Sequence, residues 1–334
     1  MVVLIVAYTV NPAFKQFHEN IKLNKSDSEI ARSSRDNLFR NIDNFPKEDD
    51  MFPLLYRECH NKFGSFSRKT KISPLNDIDL LVCLNARGSK YSEHSVDNVD
   101  ITVPEGVDSL QELSEGNILN SRKVIEKFKR NLKDLAHYKN AEINRRQEAI
   151  TLSLQSYDWT FDIVPCFITA PTDNGRTYYL IPNREGSWKF TDPRIDQKRV
   201  TRINQENEGN ILKIIRMFKH LAREYGLFKD NSYLLEVLIL DYYEQYPFGG
   251  SFSADIRKVL LHIKQSVQFS VKDPQDIRTN INKLGADEIE KIRSTLNDCF
   301  NLMLKAIEYE SNGDNEAAIN KWREIFGSKF PKYG

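Results

Sequence analysis

The sequence predicts an α/β protein with two parts, an α/β core over about residues 1–200 and a helical domain over residues 201–334. A short apolar run at 80–84 follows an alternating Asp-Ile-Asp start and is typical of a buried strand. Two further strand-like segments, at 149–154 and 159–168, also favour a sheet in the first part. In the second part apolar residues recur at helical spacing, which predicts a mainly helical structure.

The elements before the Asp-Ile-Asp run are predicted from caps and breakers. Residues 11–25 are mostly polar, which indicates an irregular segment. A helix is predicted to begin after the Ser-Asp-Ser at 26–28, because serine caps helices, and to end near Pro46. A second helix is predicted over 51–63. Residues 85–120 are rich in turn formers and acidic side chains, so we expect an insertion or a mobile loop there.

Later elements are predicted from apolar spacing. Residues 121–137 form an amphipathic helix whose basic face is either a polyanion-binding surface or an ordinary solvated face. A strand is predicted at 178–182, where Tyr178 and Tyr179 are typical of core packing or of base stacking. The helices predicted for the second part cover residues 207–225, 230–243, 251–269, 287–309 and 314–326.

Composition limits the classes of partner. The chain has 48 Lys and Arg against 47 Asp and Glu, a net charge of +1, so no global field favours nucleic acid or a membrane. The four cysteines form no CxxC pair and no Cys/His cluster with zinc spacing, which fits a reducing cytoplasm. The apolar residues 1–10 lack a basic region and a clear cleavage site, so we expect a docked strand or helical turn, and no stretch reaches a membrane-spanning length.

The strongest signal is Gly64-Ser65 followed twelve positions later by Asp77-Ile78-Asp79. Residues two apart on a strand point the same way, so Asp77 and Asp79 share one face. Two adjacent carboxylates repel one another unless a cation lies between them, and a divalent cation with oxygen ligands is the usual solution. Glycine lets a backbone approach a phosphate closely. The combination predicts nucleotidyl transfer, although either half alone is common in loops.

Asp162 is a third candidate because it lies inside a predicted strand with apolar neighbours on both sides. A carboxylate buried without a partner is costly, so Asp162 requires a cation. Two interpretations remain open, a salt bridge to Lys or Arg and a third metal-binding carboxylate beside Asp77 and Asp79. Asp158 competes for the second role, but it lies in a turn.

Two positions in the helical part are candidates for binding anions. Lys219 flanks the apolar stripe of its helix, and Ser232 lies at or near the start of the next helix. A helix N-terminus attracts anions through its unpaired amides and its dipole. Ser232 is equally interpreted as an ordinary N-cap. Tyr233, the next residue, is included as a nucleotide-binding candidate.

The Gly-Ser and Asp-x-Asp pattern resembles the signature of the polymerase-beta-like nucleotidyltransferase superfamily. The longer string GSFSRKTKISPLNDIDLLV is similar to the bacterial cyclic-oligonucleotide synthases, the CD-NTases, which are relatives of metazoan cyclic GMP-AMP synthase and the oligoadenylate synthases. The resemblance implies a core with a mixed sheet, followed by a helical domain that closes the active-site cleft.

The resemblance also implies roles for individual residues. Two Mg²⁺ or Mn²⁺ ions are expected to be bound by three carboxylates. In the resembling superfamily the third acid comes from a later strand, and this role is transferred to Asp162. The expected metal-binding and catalytic residues are Asp77, Asp79 and Asp162. The expected nucleotide-binding residues are Gly64, Ser65, Lys219, Ser232 and Tyr233.

The function implied is synthesis of a cyclic di- or trinucleotide second messenger from NTPs, including ATP, which switches on an effector protein in anti-phage (CBASS) defence. One alternative is a nucleotidyltransferase acting on RNA, a protein or a small molecule. The small net charge argues against a long nucleic acid. The alternative of another class is an inactive nucleotide-sensing module, which the presence of all three candidate acids disfavours.

Overall fold

The computed structural model describes residues 7–229 and 231–334, so the expectations for residues 1–6 and for Asp230 lie outside the described residues. Two compact units are present. They are the sheet unit, residues 24–69 and 74–197, and the helical unit, residues 7–23, 70–73 and 198–334.

The sheet unit is built on one sheet, which has eleven strands among the described residues. The strands are β1 (Asn61–Phe63), β2 (Asp77–Cys83), β3 (Lys90–Ser95), β4 (Asn98–Thr102), β5 (Ser114–Glu115), β6 (Ile118–Leu119), β7 (Glu142–Arg146), β8 (Ala149–Ser153), β9 (Thr160–Ile168), β10 (Tyr179–Pro182) and β11 (Trp188–Thr191). Their main order is β1-β2-β9-β10-β11-β4-β6-β5, with β3 on β4, β8 on β9 and β7 on β8. The β2–β9 pair is parallel and the other described strand pairs are antiparallel, which confirms the predicted α/β fold with a mixed sheet.

The helices confirm most of the predicted positions, with ends that shift by a few residues. They are α1 (Val10–Ile21), α2 (Lys25–Ile42), α3 (Phe45–Glu48), α4 (Gly64–Ser67), α5 (Asp108–Gln111), α6 (Ser121–Asp134), α7 (Pro193–Glu206), α8 (Ile211–Tyr225), α9 (Ser232–Tyr243), α10 (Phe252–Ser266), α11 (Ala286–Ser311) and α12 (Asn315–Phe326). The cap of α2 is Asn24, whose Oδ1 accepts from the Asp27 amide at 2.6 Å, and not one of the serines that follow.

Helix α1 corrects the expectation of an irregular segment over 11–25. Its apolar residues recur at helical spacing, and Phe14 and Phe17 are fully buried. Phe14 packs edge-on against Trp322 with ring centroids 4.9 Å apart, and Phe17 packs against Phe326 at 4.8 Å. Polar residues on the solvent side hid this pattern, because an amphipathic helix needs only one apolar face.

The boundary between the units was expected near residue 200, and the compact units divide at 197/198. Residues 7–23, however, belong to the helical unit, although we expected them in the core. Their aromatic contacts with α12 explain the difference. Residues 70–73, between the Gly-Ser and Asp-x-Asp motifs, also belong to the helical unit.

Two further expectations about local structure were wrong. Residues 51–63 contain a 3₁₀ turn at Arg57–Cys59 and strand β1 instead of a helix, because β1 pairs antiparallel with β2. The supposed loop at 85–120 contains four strands and a short helix. Buried Val99 and Ile101 alternate along β4, which is the pattern of a half-buried strand. No helix in the described ranges is both long enough and apolar enough to cross a membrane.

Candidate active site

The three candidate acids lie on the adjacent parallel strands β2 and β9. Asp79 is directly in register with Asp162, and Asp77 is in register with Thr160. Neighbouring strands lie about 4.8 Å apart, and residues in parallel register point to the same face. All three aspartates are half-buried, whereas Ile78 between the two β2 acids is buried on the opposite face. The sheet therefore places the three carboxylates on one face, as a cluster across two strands.

The Gly-Ser motif meets this cluster at Asp79. Phe63, the last residue of β1, pairs with Asp79, and Gly64 follows with a φ of +71°. A Cβ added at Gly64 would overlap the Asp79 carboxylate and lie 2.9 Å from the Asp79 Cβ. Gly64 is thus required for its left-handed backbone and for space. Ser65 directly follows Gly64, so its backbone begins next to the Asp79 carboxylate.

Three hydrogen bonds hold the short helix α4 that carries Ser65. The Ser67 hydroxyl donates to the Lys62 carbonyl at 2.7 Å. The Gln197 side-chain amide donates to the same carbonyl and, at 3.1 Å, to the Ser67 hydroxyl. Sequence reasoning missed Gln197, because an amide side chain on a helix far along the chain carries no local signal of this contact.

Thr151 is a partner of Asp162 that sequence reasoning also missed. The Thr151 hydroxyl, on the neighbouring strand β8, donates to Asp162 Oδ1 at 2.9 Å, where the two residues are in register. This hydrogen bond orients the carboxylate from the side opposite to β2. The competitor Asp158 is exposed in a bend before β9 and lies outside the register with β2.

The donor set is chemically suited to a hard divalent cation, because three aspartate carboxylates on one face supply anionic oxygen ligands. Over residues 7–229 and 231–334, no group of three or more His, Cys, Asp or Glu side chains already has the arrangement of a metal site. Gly64 packs directly against the Asp79 carboxylate, in the space that the Cβ of any other residue would occupy. The residues therefore fit the expected Mg²⁺ or Mn²⁺ in donor type and in shared face.

Two thiols farther along the same pair of strands are structural. Cys83 and Cys166 are in register on β2 and β9, and both are fully buried. Burial raises the pKa of the Cys166 thiol well above its usual value, with neighbouring Cys83 adding to the effect. A protonated, buried thiol packs as a small apolar side chain.

The anion-binding candidates belong to the helical unit. Lys219 on α8 is only 9% exposed and forms an ion pair with Glu236 of α9. Ser232 is exposed and is the first residue of α9, but Asn231 is the cap, since its Oδ1 accepts from the Leu234 amide at 3.2 Å. The interpretation of Ser232 as the N-cap is therefore wrong.

Tyr233 and the basic face of α6 have local packing roles. Tyr233 is half-buried and packs against the helical core. On α6, the Arg122 guanidinium donates to the Arg184 carbonyl, and Lys127 pairs with Asp49 at 2.9 Å. Because Arg122 and Lys127 are already engaged within the unit, these two cations do not support the interpretation of this face as a polyanion-binding surface.

Known proteins match this chain in sequence and in fold. Residues 8–204 match the family model "Second Messenger Oligonucleotide or Dinucleotide Synthetase domain". The chain is 41% identical over 329 residues to a probable cyclic nucleotide synthase of Bacillus cereus (strain VD146), covering 97% of this chain and 98% of the relative. It is 22% identical over 220 residues to a cyclic AMP-AMP-AMP synthase of Acinetobacter sp. (strain ATCC 27244 / 9458), covering 60% of this chain and 58% of the relative.

The solved structure of E. coli MS115-1 CdnC with ATP is similar in fold, with a TM-score of 0.70 at 14% identity, over 97% of this chain and 99% of that one. The family match covers more than half of the chain, and the Bacillus relative is similar over nearly its full length. With the acids and the Gly-Ser turn gathered at one edge of β2 and β9, these matches show that the chain belongs to the second messenger oligonucleotide or dinucleotide synthetases, as a nucleotidyltransferase of the bacterial CD-NTase group.

Proposed function

We propose that this enzyme joins NTPs, including ATP, into a cyclic di- or trinucleotide by two-metal catalysis. The observation that carries the proposal is the register of Asp79 with Asp162, together with the contact of Gly64 on the Asp79 carboxylate. This arrangement gathers three anionic oxygen donors beside a backbone that approaches phosphate closely. The Acinetobacter and E. coli proteins named above, a cyclic trinucleotide synthase and an ATP complex, support the choice of substrate and product class.

Each residue has a distinct role in the proposed reaction. Asp77, Asp79 and Asp162 hold two Mg²⁺ or Mn²⁺ ions, which when bound supply an activated ribose hydroxyl and charge neutralisation at the leaving pyrophosphate. Thr151 keeps the Asp162 carboxylate oriented. Gly64 admits the phosphates to the backbone, and Ser65 orients them through its amide and hydroxyl.

Binding of the triphosphate of the donor nucleotide, here called the nucleotide tail, is assigned to residues of the helical unit. Lys219 supplies a positive charge and Ser232 an exposed hydroxyl at the start of α9, where helix amides favour anions. Tyr233, beside Ser232, completes the nucleotide-binding set. The product is proposed to act as a second messenger that switches on an effector protein during phage infection.

The direct test is product mass. The purified chain is incubated with all four NTPs and Mg²⁺ or Mn²⁺, and Asp79→Asn is run in parallel. We expect a product whose mass equals two or three nucleoside monophosphates joined with loss of water in a closed ring, and none from the variant. A linear product, or transfer of nucleotide only to added RNA or protein, would replace cyclisation with another nucleotidyl transfer. Equal product from Asp79→Asn would overturn the assignment of the acids.

The signalling role is tested separately. Cells that carry the active chain are infected with phage, and the cyclic product is measured in extracts before and after infection. We expect the product to rise on infection in wild-type cells and to be absent with Asp79→Asn. A constant level, or equal phage growth with both proteins, would contradict the anti-phage role and leave the enzymatic activity standing.

A further inference from the structure

A buried polar cluster in the helical unit joins Lys219 to two residues that the proposed function does not use. Glu236 is 1% exposed and Thr70 is fully buried. Glu236 forms the ion pair with Lys219, and the Thr70 hydroxyl donates to the same Glu236 oxygen at 3.0 Å. The Lys219 ammonium also lies 3.5 Å from the Thr70 hydroxyl. The three side chains therefore form a closed triangle of polar contacts.

Helix geometry connects this triangle to Ser232. Glu236 and Ser232 are four residues apart on α9, so they lie on the same face, about 6 Å apart along the axis. Because Lys219 is bound to Glu236, its ammonium is held against the face of α9 that leads to Ser232. Glu236 thus brings together, within one unit, the two residues assigned to the nucleotide tail.

Thr70 is itself fixed from its other side. It begins the segment 70–73, in which Ile72 bridges to Lys22 and the Ser73 amide donates to the Ile21 carbonyl at 2.9 Å. The Arg223 guanidinium donates to the Ser73 carbonyl at 2.6 Å. Arg223 lies one turn after Lys219 on α8, so a single helix anchors both ends of this segment. The Thr70 hydroxyl that contacts Glu236 therefore belongs to a segment whose backbone is anchored.

A lysine held in this way differs from a free surface lysine. A free lysine loses side-chain entropy when it is ordered on a ligand, whereas a lysine already fixed by neighbours loses less at the moment of binding. A purely structural ion pair would have the same contacts, so nucleotide binding must separate the two roles. Protein kinases show that a Glu can position a phosphate-binding Lys.

We propose that Glu236 and Thr70 are positioning residues that hold the Lys219 ammonium for the triphosphate of the donor nucleotide. This inference rests on the proposed function, because Lys219 is assigned there to the triphosphate. It predicts that loss of either positioning group weakens binding of nucleotides with a triphosphate and leaves binding of a monophosphate unchanged.

The test uses calorimetric titration of full-length variants with two probes, each in the presence of Mg²⁺. The first probe is α,β-methylene-ATP, called the ATP analogue below, and the second is AMP. Glu236→Gln keeps the shape of the side chain and removes its charge, and Thr70→Val keeps shape and removes the hydroxyl. We expect both to weaken the ATP analogue about tenfold, the effect of a charge-assisted hydrogen bond. AMP affinity should stay at the wild-type value. Thr70→Ser, which retains the hydroxyl, is the matched control and should bind both probes normally.

A double-mutant cycle separates a positioning role of Glu236 from a purely structural ion pair. In a Lys219→Met background, Glu236→Gln should cause no further loss of affinity for the ATP analogue, because there is no ammonium left to position. Equal losses for the ATP analogue and AMP, or additive losses in the cycle, would overturn the inference in favour of a structural ion pair. Thermal melts of each variant identify any loss that comes from unfolding, and Thr70→Val stands in if Glu236→Gln does not fold.

Failure of the inference and failure of the proposed function are distinguishable. If Lys219→Met binds the ATP analogue normally, both the role of Lys219 and this inference are overturned. If Lys219→Met weakens the analogue but Glu236→Gln and Thr70→Val do not, only the inference is overturned. In either case product formation by the wild type and its loss in Asp79→Asn test the nucleotidyl transfer independently.

Discussion

At the residue scale, Gly64 is the position where the Gly-Ser turn and the acidic strand β2 constrain one another. Its φ of +71° is a conformation that other residues adopt at a cost, and its missing Cβ makes room for the Asp79 carboxylate. The two requirements are independent, because other glycines in the sheet unit have positive φ and open surroundings. Gly106, with a φ of +78° and no atom within 4 Å of an added Cβ, is one of them.

Gly64→Ala is expected to cost more stability than Gly106→Ala and to abolish activity. Gly106→Ala carries only the backbone strain, about 1–2 kcal/mol. Gly64→Ala adds the overlap with Asp79, which displaces a carboxylate of the proposed metal site. Urea unfolding and product formation from NTPs measure the two effects. If the two variants lose equal stability and both stay active, the contact between Gly64 and Asp79 is not needed for activity.

Asp77→Asn, Asp79→Asn and Asp162→Asn are each expected to lower turnover about a hundredfold or more, since misplaced reactants alone cost that much. Their thermal stability should stay near that of the wild type, because the side chains are half-buried and keep their shape. Asp158→Asn is the matched control and should remain active, because Asp158 is exposed outside the register of the two strands. Normal turnover in Asp162→Asn with loss in Asp158→Asn would reverse the assignment of the third acid.

At the element scale, α1 is held on α8 by a polar contact as well as by its aromatic face. His18 Nε2 lies 2.7 Å from an Arg216 guanidinium nitrogen. Burial, with a smaller contribution from Arg216, lowers the pKa of His18 from 6.5 to about 4. His18 is therefore neutral in the folded protein at neutral pH, and the unfolded chain takes up a proton first as the pH falls.

The stability that neutral His18 contributes is fully present above pH 6.5 and is lost as the pH falls toward 4. The loss attributable to this residue is about 3 kcal/mol at most, from 1.36 kcal/mol per pKa unit. Urea unfolding of the wild type and of His18→Gln between pH 4 and 7 measures it. The variant should show a shallower dependence on pH, and His94→Gln, at an exposed position, is the control. Parallel curves for wild type and His18→Gln would mean that His18 titrates normally.

At the scale of the whole molecule, net charge and surface contacts limit the class of substrate that can accept the nucleotide. The net charge of +1 leaves little general attraction for a polyanion, and Arg122 and Lys127 of α6 are engaged within their own unit. A small nucleotide acceptor suits this surface better than a long RNA. The family relationship to a probable cyclic nucleotide synthase points the same way.

Product labelled from α-³²P-ATP is therefore expected to resist phosphatase, because a closed ring has no terminal phosphate. Added RNA should neither take up label nor raise the rate. Thin-layer chromatography after phosphatase, with and without RNA, provides the measurement, and linear 5′-triphosphorylated oligoadenylate labelled in the same way is the control, which must lose its terminal label. Release of the 5′-terminal part of the product's label as phosphate, with the internal label retained, would contradict ring closure, and label on the RNA would identify a tailing activity.

Local sequence was sufficient for the features that depend on neighbours along the chain. The alternation of Asp77, Ile78 and Asp79 predicted a strand with two carboxylates on one face, and β2 has that pattern of burial. Apolar spacing predicted α6, α8 and α9 to within a few residues, because helical periodicity is read within a few turns. The same reasoning failed at α1, where apolar residues at helical spacing were hidden among polar ones.

Local sequence patterns were therefore enough to identify the candidate reactive groups, which are three carboxylates, a Gly-Ser turn and a lysine, and most of the elements that carry them. Which of these groups come into contact is set by tertiary packing. Asp79 and Asp162 are brought into register by strand pairing, and Lys219 is paired with Glu236 and Thr70 by packing between α8, α9 and the segment 70–73. These contacts join positions far apart along the chain, so they depend on the packing free energy of whole elements, which no local pattern records.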